Sequence, residues 1–122
     1  MRNYVTCNNS NKVVGFYSLA FGSVNQTDCP PTVAQGVRKY QIPVMILARL
    51  GVEQSEKGKG LGKALLKNAI LRTLQAANIA GLKAIFVQAK QDEAKAFYEK
   101  YGFIPALNNP LYLFFPLGIL QP

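Results

Sequence analysis

Lys57-Gly58-Lys59-Gly60-Leu61-Gly62-Lys63 is the segment whose residue types and spacing come closest to dictating a chemistry. Three glycines at alternate positions let the backbone approach a ligand closely and turn its N–H groups inward. The amphipathic helix that follows adds the positive end of its dipole, so the turn suits a pyrophosphate. It is not a Walker A loop, because no Gly-Lys-Ser/Thr ends it. Its glycine spacing, after a strand that is not the first of the chain, also excludes the dinucleotide-binding fingerprint. The plain alternative is a flexible strand-to-helix turn with solvated lysines. Flanking cations at Lys57, Lys59 and Lys63, and a buried strand delivering the turn, favour anion binding.

Other chemistries are excluded by what is missing. The chain has no histidine, which removes histidine-based zinc sites, Ser-His-Asp and Cys-His nucleophiles and imidazole acid–base catalysis. Cys7 and Cys29 are 22 residues apart, a separation that matches no metal or redox spacing. They read as reduced thiols of a cytosolic protein. Fourteen Lys and Arg against six Asp and Glu give a net charge of +8, which is either a solubility charge or the footprint of a polyanionic partner.

The elements that must position these residues follow from patterning. A length of 122 residues, 49% hydrophobic, fits one domain spanning 1–122 with a filled core. Residues 4–7 and 13–24 are β-branched and aromatic, separated by the turn cluster Asn8-Asn9-Ser10-Asn11, which predicts a β-hairpin. Residues 25–41 read as a long irregular connection. The apolar run Pro43–Val52 predicts a central buried strand on which Ile46, Ala48, Leu50 and Val52 share one face and Arg49 points the other way. Leu61–Asn78 has helical periodicity, with Leu61, Leu65, Leu66, Ala69, Ile70, Leu74 and Ala77 as the apolar stripe and Gly81 as the stop. A strand over 82–89, a helix over 92–101 and a strand over 111–117 complete the order β-β-loop-β-α-β-α-β. This is an α/β (α+β) fold with a mixed sheet and a parallel β-α-β crossover at its centre. The longest apolar stretch, Leu111–Leu120, is ten residues with Pro116 and Gly118 inside it. A spanning helix needs about 20. No signal-peptide stretch opens the chain, so a cytoplasmic protein with no membrane partner is expected.

Two stretches carry a family resemblance. Arg49-Leu50-Gly51-Val52, five residues, then Gly58-Lys59-Gly60-Leu61-Gly62-Lys63-Ala64-Leu65-Leu66 resembles motif A of the GNAT superfamily of N-acetyltransferases. That motif is Gln/Arg-x-x-Gly-x-Gly/Ala after a strand; here Lys57 stands in the Gln/Arg position, and Gly60 and Gly62 in the two small ones. Ala96-Phe97-Tyr98-Glu99-Lys100-Tyr101-Gly102-Phe103 resembles motif B, Phe-Tyr-x-x-x-Gly-Phe. Within the superfamily the chain is similar over most of its length to the TacT/AtaT-like toxins of type II toxin–antitoxin systems, notably at Val14–Ala20, Ile42–Val52, Leu71–Ala77 and Pro110–Leu117.

The resemblance implies a GNAT fold, acetyl-CoA as cosubstrate with no metal, and transfer of acetyl to the α-amine of an aminoacyl-tRNA, which blocks translation. It also implies a ribbon-helix-helix antitoxin as partner, and a homodimer is possible. Leu50, Gly51 and Val52 are expected on the pantetheine, and Lys57, Gly58, Lys59, Gly60, Leu61, Gly62 and Lys63 on the pyrophosphate, with Tyr98 as the general acid for the departing thiolate. The residues alone would leave Phe97, Tyr98 and Tyr101 as core-facing aromatics. Arg49, Arg38 and Lys39 are the candidate tRNA contacts, with Arg2 and Lys12 as weaker ones. Glu53 is either a water-mediated proton relay or a solvated carboxylate. Family members begin with a strand and two helices before the strand that Met1 leads into here, so the fold is expected to be N-terminally shortened, with a complete cofactor half and a reduced acceptor half. Two other readings stay open: an acetyltransferase of a small amine or protein N-terminus, and a module that binds CoA or an antitoxin with little activity.

Overall fold

A computed structural model describes residues 1–34 and 41–118, and for 78–80 the backbone only. Six strands form one mixed sheet in the order β1-β2-β3-β4-β6-β5. They are β1 (Arg2–Cys7), β2 (Val13–Asn25), β3 (Gln41–Val52), β4 (Ala84–Gln88), β5 (Ile104–Pro105) and β6 (Tyr112–Pro116). Only β3 and β4 pair in parallel, and α2 (Leu61–Ala80) connects them, the expected crossover. A one-turn helix α1 (Pro31–Ala34) and the helix α3 (Asp92–Lys100) complete the set. Among the described residues no helix is long and apolar enough to cross a membrane.

The hairpin closes where its turn chemistry asks: Asn8 Oδ1 accepts from the amides of Ser10 and Lys12, and Asn11 takes positive φ. Both α2 and α3 lie over one face of the sheet. There Leu65, Leu66 and Ala69 of α2 and Tyr98 of α3 join Tyr17, Leu19, Met45, Leu47, Ile85, Val87 and Leu113 in the main core. Thr73, missing from the expected apolar stripe, is fully buried in it and satisfies its hydroxyl on Ala69 O at 2.8 Å. The opposite face carries a smaller core in which Val33 of α1 covers Ile42, Val44, Ala84 and Phe114.

Three expectations need correction. Residues 26–34 are not irregular: a 3-10 turn at Gln26–Asp28 leads into α1, which buries Val33. Residues 35–40, including Arg38 and Lys39, lie outside the described residues. β5 escaped notice because a two-residue strand has no alternation to read; it pairs Ile104 and Pro105 with Phe114 and Leu113.

The third correction concerns β3. Ser18 pairs with Arg49 but Leu19 pairs with Leu47, so Ala48 is an extra residue, a β-bulge. The bulge inverts the side-chain phase. Before it, Met45 and Leu47 face the helices and Ile46 faces the smaller core; after it, Leu50 and Val52 face the helices. Ile46 and Leu50 therefore do not share a face, although Arg49 still opposes Leu50. β3 also parts from β4 here, since their pairing covers only Val44–Ile46 with Ala84–Phe86.

Because Leu47 pairs with Leu19, Leu50 with Tyr17 and Val52 with Gly15, deleting Ala48 would remove the bulge and leave Leu50 and Val52 on the helix face by plain alternation. Full burial of such a side chain is worth about 1.5–3 kcal/mol. We expect the deletion to lower the stability measured by denaturant unfolding by less than the loss of one such side chain; a larger loss would mean that packing under α2 depends on the bend the bulge introduces.

Candidate functional site

Beyond Ile46 the edge of β3 that faces β4 has no strand partner. Its phase follows from one ladder bond, Glu53 N–H to Val14 O at 2.7 Å. Alternate residues of an antiparallel strand address the same neighbour. Glu53, Gly51 and Arg49 therefore address β2, and Leu50 and Val52 present their N–H and C=O groups to the gap. That edge is free to receive an extended ligand by strand addition.

A 3-10 turn at Gln54–Glu56 carries the chain from β3 into the glycine turn. Gly58 and Gly60 both adopt left-handed backbone, with φ of 84° and 82°, a conformation that only glycine enters without cost. Gly60 occupies the N-cap of α2 and supplies no side-chain cap. The first bond of the helix runs from Ala64 N–H to Gly60 O at 3.1 Å, so the amides just before it point free from the helix end. Gly62 has a different role. A Cβ there would lie 3.6 Å from the Phe97 ring and 3.7 Å from Val52, ordinary contact distances, so the position has room for a small side chain and needs no special backbone angle. Gly15 lets α2 sit down on β2, since a Cβ there would come within 2.8 Å of Leu65.

Strand edge, turn and α3 enclose a cleft of ≈ 660 Å³. Leu50, Gly51, Val52, Lys57, Gly58, Gly60, Leu61, Gly62, Lys63 and Tyr98 all line it. Lys59 does not; its ammonium turns to Glu56 at 3.1 Å. Glu56, Gln91, Glu93, Ala94, Phe97 and Tyr101 also line the cleft and were missed. The signal available for Glu93 was its place at the positive end of α3, which explains a carboxylate there without any ligand. From Lys57 to Gln91 the sequence holds no Asp or Glu, so Lys57 and Lys63 are not neutralised from within their own segment.

Tyr98 sits at the inner wall, on the face of α3 that meets the core. Its ring packs against Phe97 and Phe103, each with centroids at 5.3 Å. Burial pushes its hydroxyl up to about 12, and no described group accepts its proton in a hydrogen bond. It is a proton holder aimed at a cleft. Glu53 is drawn away to Lys12 at 3.7 Å and does not line the cleft. Arg49 is exposed on the opposite face and has no carboxylate within ion-pair distance among the described residues. Cys7 and Cys29 are free thiols, and burial, reinforced by Asp28, pushes Cys29 up to about 11, far from a nucleophile's range. Among the described residues no cluster of His, Cys, Asp and Glu could hold a metal.

Comparison with known proteins agrees with this fold. Residues 2–105 match the family described as Acetyltransferase (GNAT) domain. The chain is 46% identical over 112 residues to a tRNA-acetylating toxin of Mycobacterium tuberculosis, covering 92% of this chain and 66% of that protein. It thus spans just under two thirds of that relative's length. Among solved structures, AtaT complexed with acetyl-methionyl-tRNAfMet superposes with a TM-score of 0.90 at 29% identity, covering 98% of this chain and 72% of that one. An AtaT mutant toxin bound to the C-terminus of the antitoxin AtaR and acetyl-CoA gives 0.78 at 28% identity, over 97% and 68% of the two chains.

The two kinds of glycine should separate on substitution. Gly60→Ala would force a side chain into left-handed backbone at a cost of about 1–2 kcal/mol and disturb the amide cradle, so calorimetry should show weakened acetyl-CoA binding. Gly62→Ala should retain both stability and binding. Equal behaviour of the two variants would contradict the assignment.

Proposed function

The chain belongs to the GNAT acetyltransferase family, and from that premise we propose that it is a cytoplasmic toxin-type enzyme that transfers acetyl from acetyl-CoA to the α-amine of an aminoacyl-tRNA, and that a ribbon-helix-helix antitoxin restrains it. The observation that carries the transfer chemistry is the shared cleft: one opening lined by the free edge of Leu50 and Val52, the amide turn 58–63 and the buried hydroxyl of Tyr98. The choice of acceptor rests on the likeness to the mycobacterial tRNA-acetylating toxin and to AtaT and on the net charge of +8, suited to a polyanion.

Acetyl-CoA would supply an acetyl thioester. The turn amides, with Lys57 and Lys63 beside them, hold its pyrophosphate. The backbone of Leu50 and Val52 aligns its pantetheine, and an amide near Leu50 polarises the acetyl carbonyl as negative charge develops on the oxygen. The acceptor nitrogen attacks in its neutral form. A free α-amine has a pKa of about 7.7–8.0, and esterification of the adjacent carboxyl lowers it, so a neutral fraction exists without an enzymatic base. This suits a site in which Glu53 lies outside the cleft lining and is engaged by Lys12. Tyr98 keeps its proton until the C–S bond breaks and then donates it to the thiolate, and the proton that the acceptor nitrogen sheds as the amide forms passes through solvent and restores the Tyr98 hydroxyl.

Two results follow. Tyr98→Phe should lower kcat by about 10²–10⁴ while acetyl-CoA affinity by calorimetry stays unchanged; a variant at full speed would remove Tyr98 from the reaction. Because the folded chain holds the Tyr98 proton up to about 12, against about 10 in an unfolded chain, turnover should rise as the acceptor amine deprotonates and stay level through pH of about 10. A descending limb in that range would identify another acid. The same shift makes the Tyr98 contribution to stability full below about 10 and lost as pH climbs towards 12. The acceptor is tested by supplying radiolabelled acetyl-CoA with charged and with deacylated tRNA. Label only in the charged pool, falling steeply with salt, is expected. Label on free amines or peptides that ignores salt would move the enzyme to the small-amine or protein N-terminus reading.

A further inference from the structure

The sheet face opposite α2 and α3 carries a second feature beside the cleft. In one row across β1, β2 and β3 stand Val5, Phe16 and Gly51, and in the next row Asn3, Ser18 and Arg49. The Phe16 ring lies directly over Gly51: a Cβ on that glycine would come within 2.6 Å of it. Gly51 in turn lines the cleft, and the ring covers that residue on the face away from the helices. Phe16 is 40% exposed, unusual for an aromatic on an interior strand, and its row neighbour Val5 on the edge strand β1 is 62% exposed. Arg49 is the diagonal neighbour of Phe16, within the reach of long side chains, and has no carboxylate partner among the described residues. Asn3 accepts the Ser18 hydroxyl at 2.6 Å on its Oδ1, leaving its amide N–H groups available as donors.

A part-exposed ring over a sheet glycine, a guanidinium one row away without a carboxylate partner among the described residues and an amide beside them form the chemistry that recognises an unstacked nucleotide: stacking for the base, a cation for the phosphate, donors for the base edge. We propose that Phe16 is a stacking platform for the single-stranded 3′-terminal nucleotide of the acceptor tRNA, with Arg49 on its phosphate. This rests on the aminoacyl-tRNA reading and deepens it, because the base that stacks there belongs to the nucleotide that carries the amino acid. Specificity for the terminal nucleotide then comes from the sheet face, and the acetyl group reaches the amine through the gap between β3 and β4.

The test compares binding of two fluorescent deacylated tRNAs, one intact and one lacking only the 3′-terminal adenosine. One stacked base is worth about 1–3 kcal/mol, so the wild type should bind the intact tRNA about tenfold more tightly. Phe16→Ala should erase that difference. Phe16→Leu, which keeps an apolar contact over Gly51, should erase it too, and Phe16→Tyr should keep it. Arg49→Gln should weaken the intact tRNA, which carries the terminal phosphate, and reduce its slope of log affinity against log salt by about one. Equal wild-type binding of the two tRNAs, no tRNA binding, or a Phe16→Leu chain that still discriminates would overturn the proposal. The readout requires no turnover: discrimination without acetyl transfer would sink the toxin reading and leave the platform standing, whereas transfer without discrimination would sink the platform alone.

Discussion

Everything in this molecule depends on β3 leaving β4 after Ile46 while staying fully paired to β2. A buried strand edge without a partner is costly, because each backbone N–H and C=O must find a hydrogen bond. Here the edge opens on a cleft, and the groups at Leu50 and Val52 are spaced for an extended chain. The bulge at Ala48 coincides with the departure. It re-aims Leu50 and Val52 under α2, which anchors the free end of the strand from one side. Gly15 allows α2 to come close enough for that anchoring. The amide turn is then held at the open end of the gap by the same strand that lines it.

Charge and burial divide the cleft into two environments. At its outer end are exposed glycines and lysines from a segment without acids, suited to phosphate. At its inner end is Tyr98, among Phe97 and Phe103, where low polarity keeps a hydroxyl protonated. Phosphate groups and a leaving sulfur make opposite demands, and α3 satisfies the second without disturbing the first. A network on the outer side of α2 reinforces its seat. Arg72 lies 4.2 Å from the centre of the Tyr4 ring and donates to Asn68 Oδ1, which also accepts the Tyr17 hydroxyl.

Much of this was legible in the chain. The glycine turn, the α2 stripe and the aromatic run of α3 have strong local signals, and their order alone led to the β-α-β crossover. The bulge was not legible. Pro43–Val52 is apolar on both faces, so alternation carries no phase, and an extra alanine leaves no trace. The outward turn of Lys59 depends on Glu56 being three residues before it, a pairing that competes with any ligand and cannot be weighed without geometry. Phe16 looked like an ordinary strand aromatic; only its register opposite Gly51, a residue without a side chain, places its ring over a residue that lines the cleft.

The most direct test of this account is amide hydrogen exchange with and without acetyl-CoA. Protection should appear at Leu50 and Val52 and across residues 58–63, while Gly51, already bonded to β2, changes little. Protection centred instead on a separate groove of the sheet lined by Arg2, Phe21 and Arg72, with the β3 edge and the turn unchanged, would contradict it.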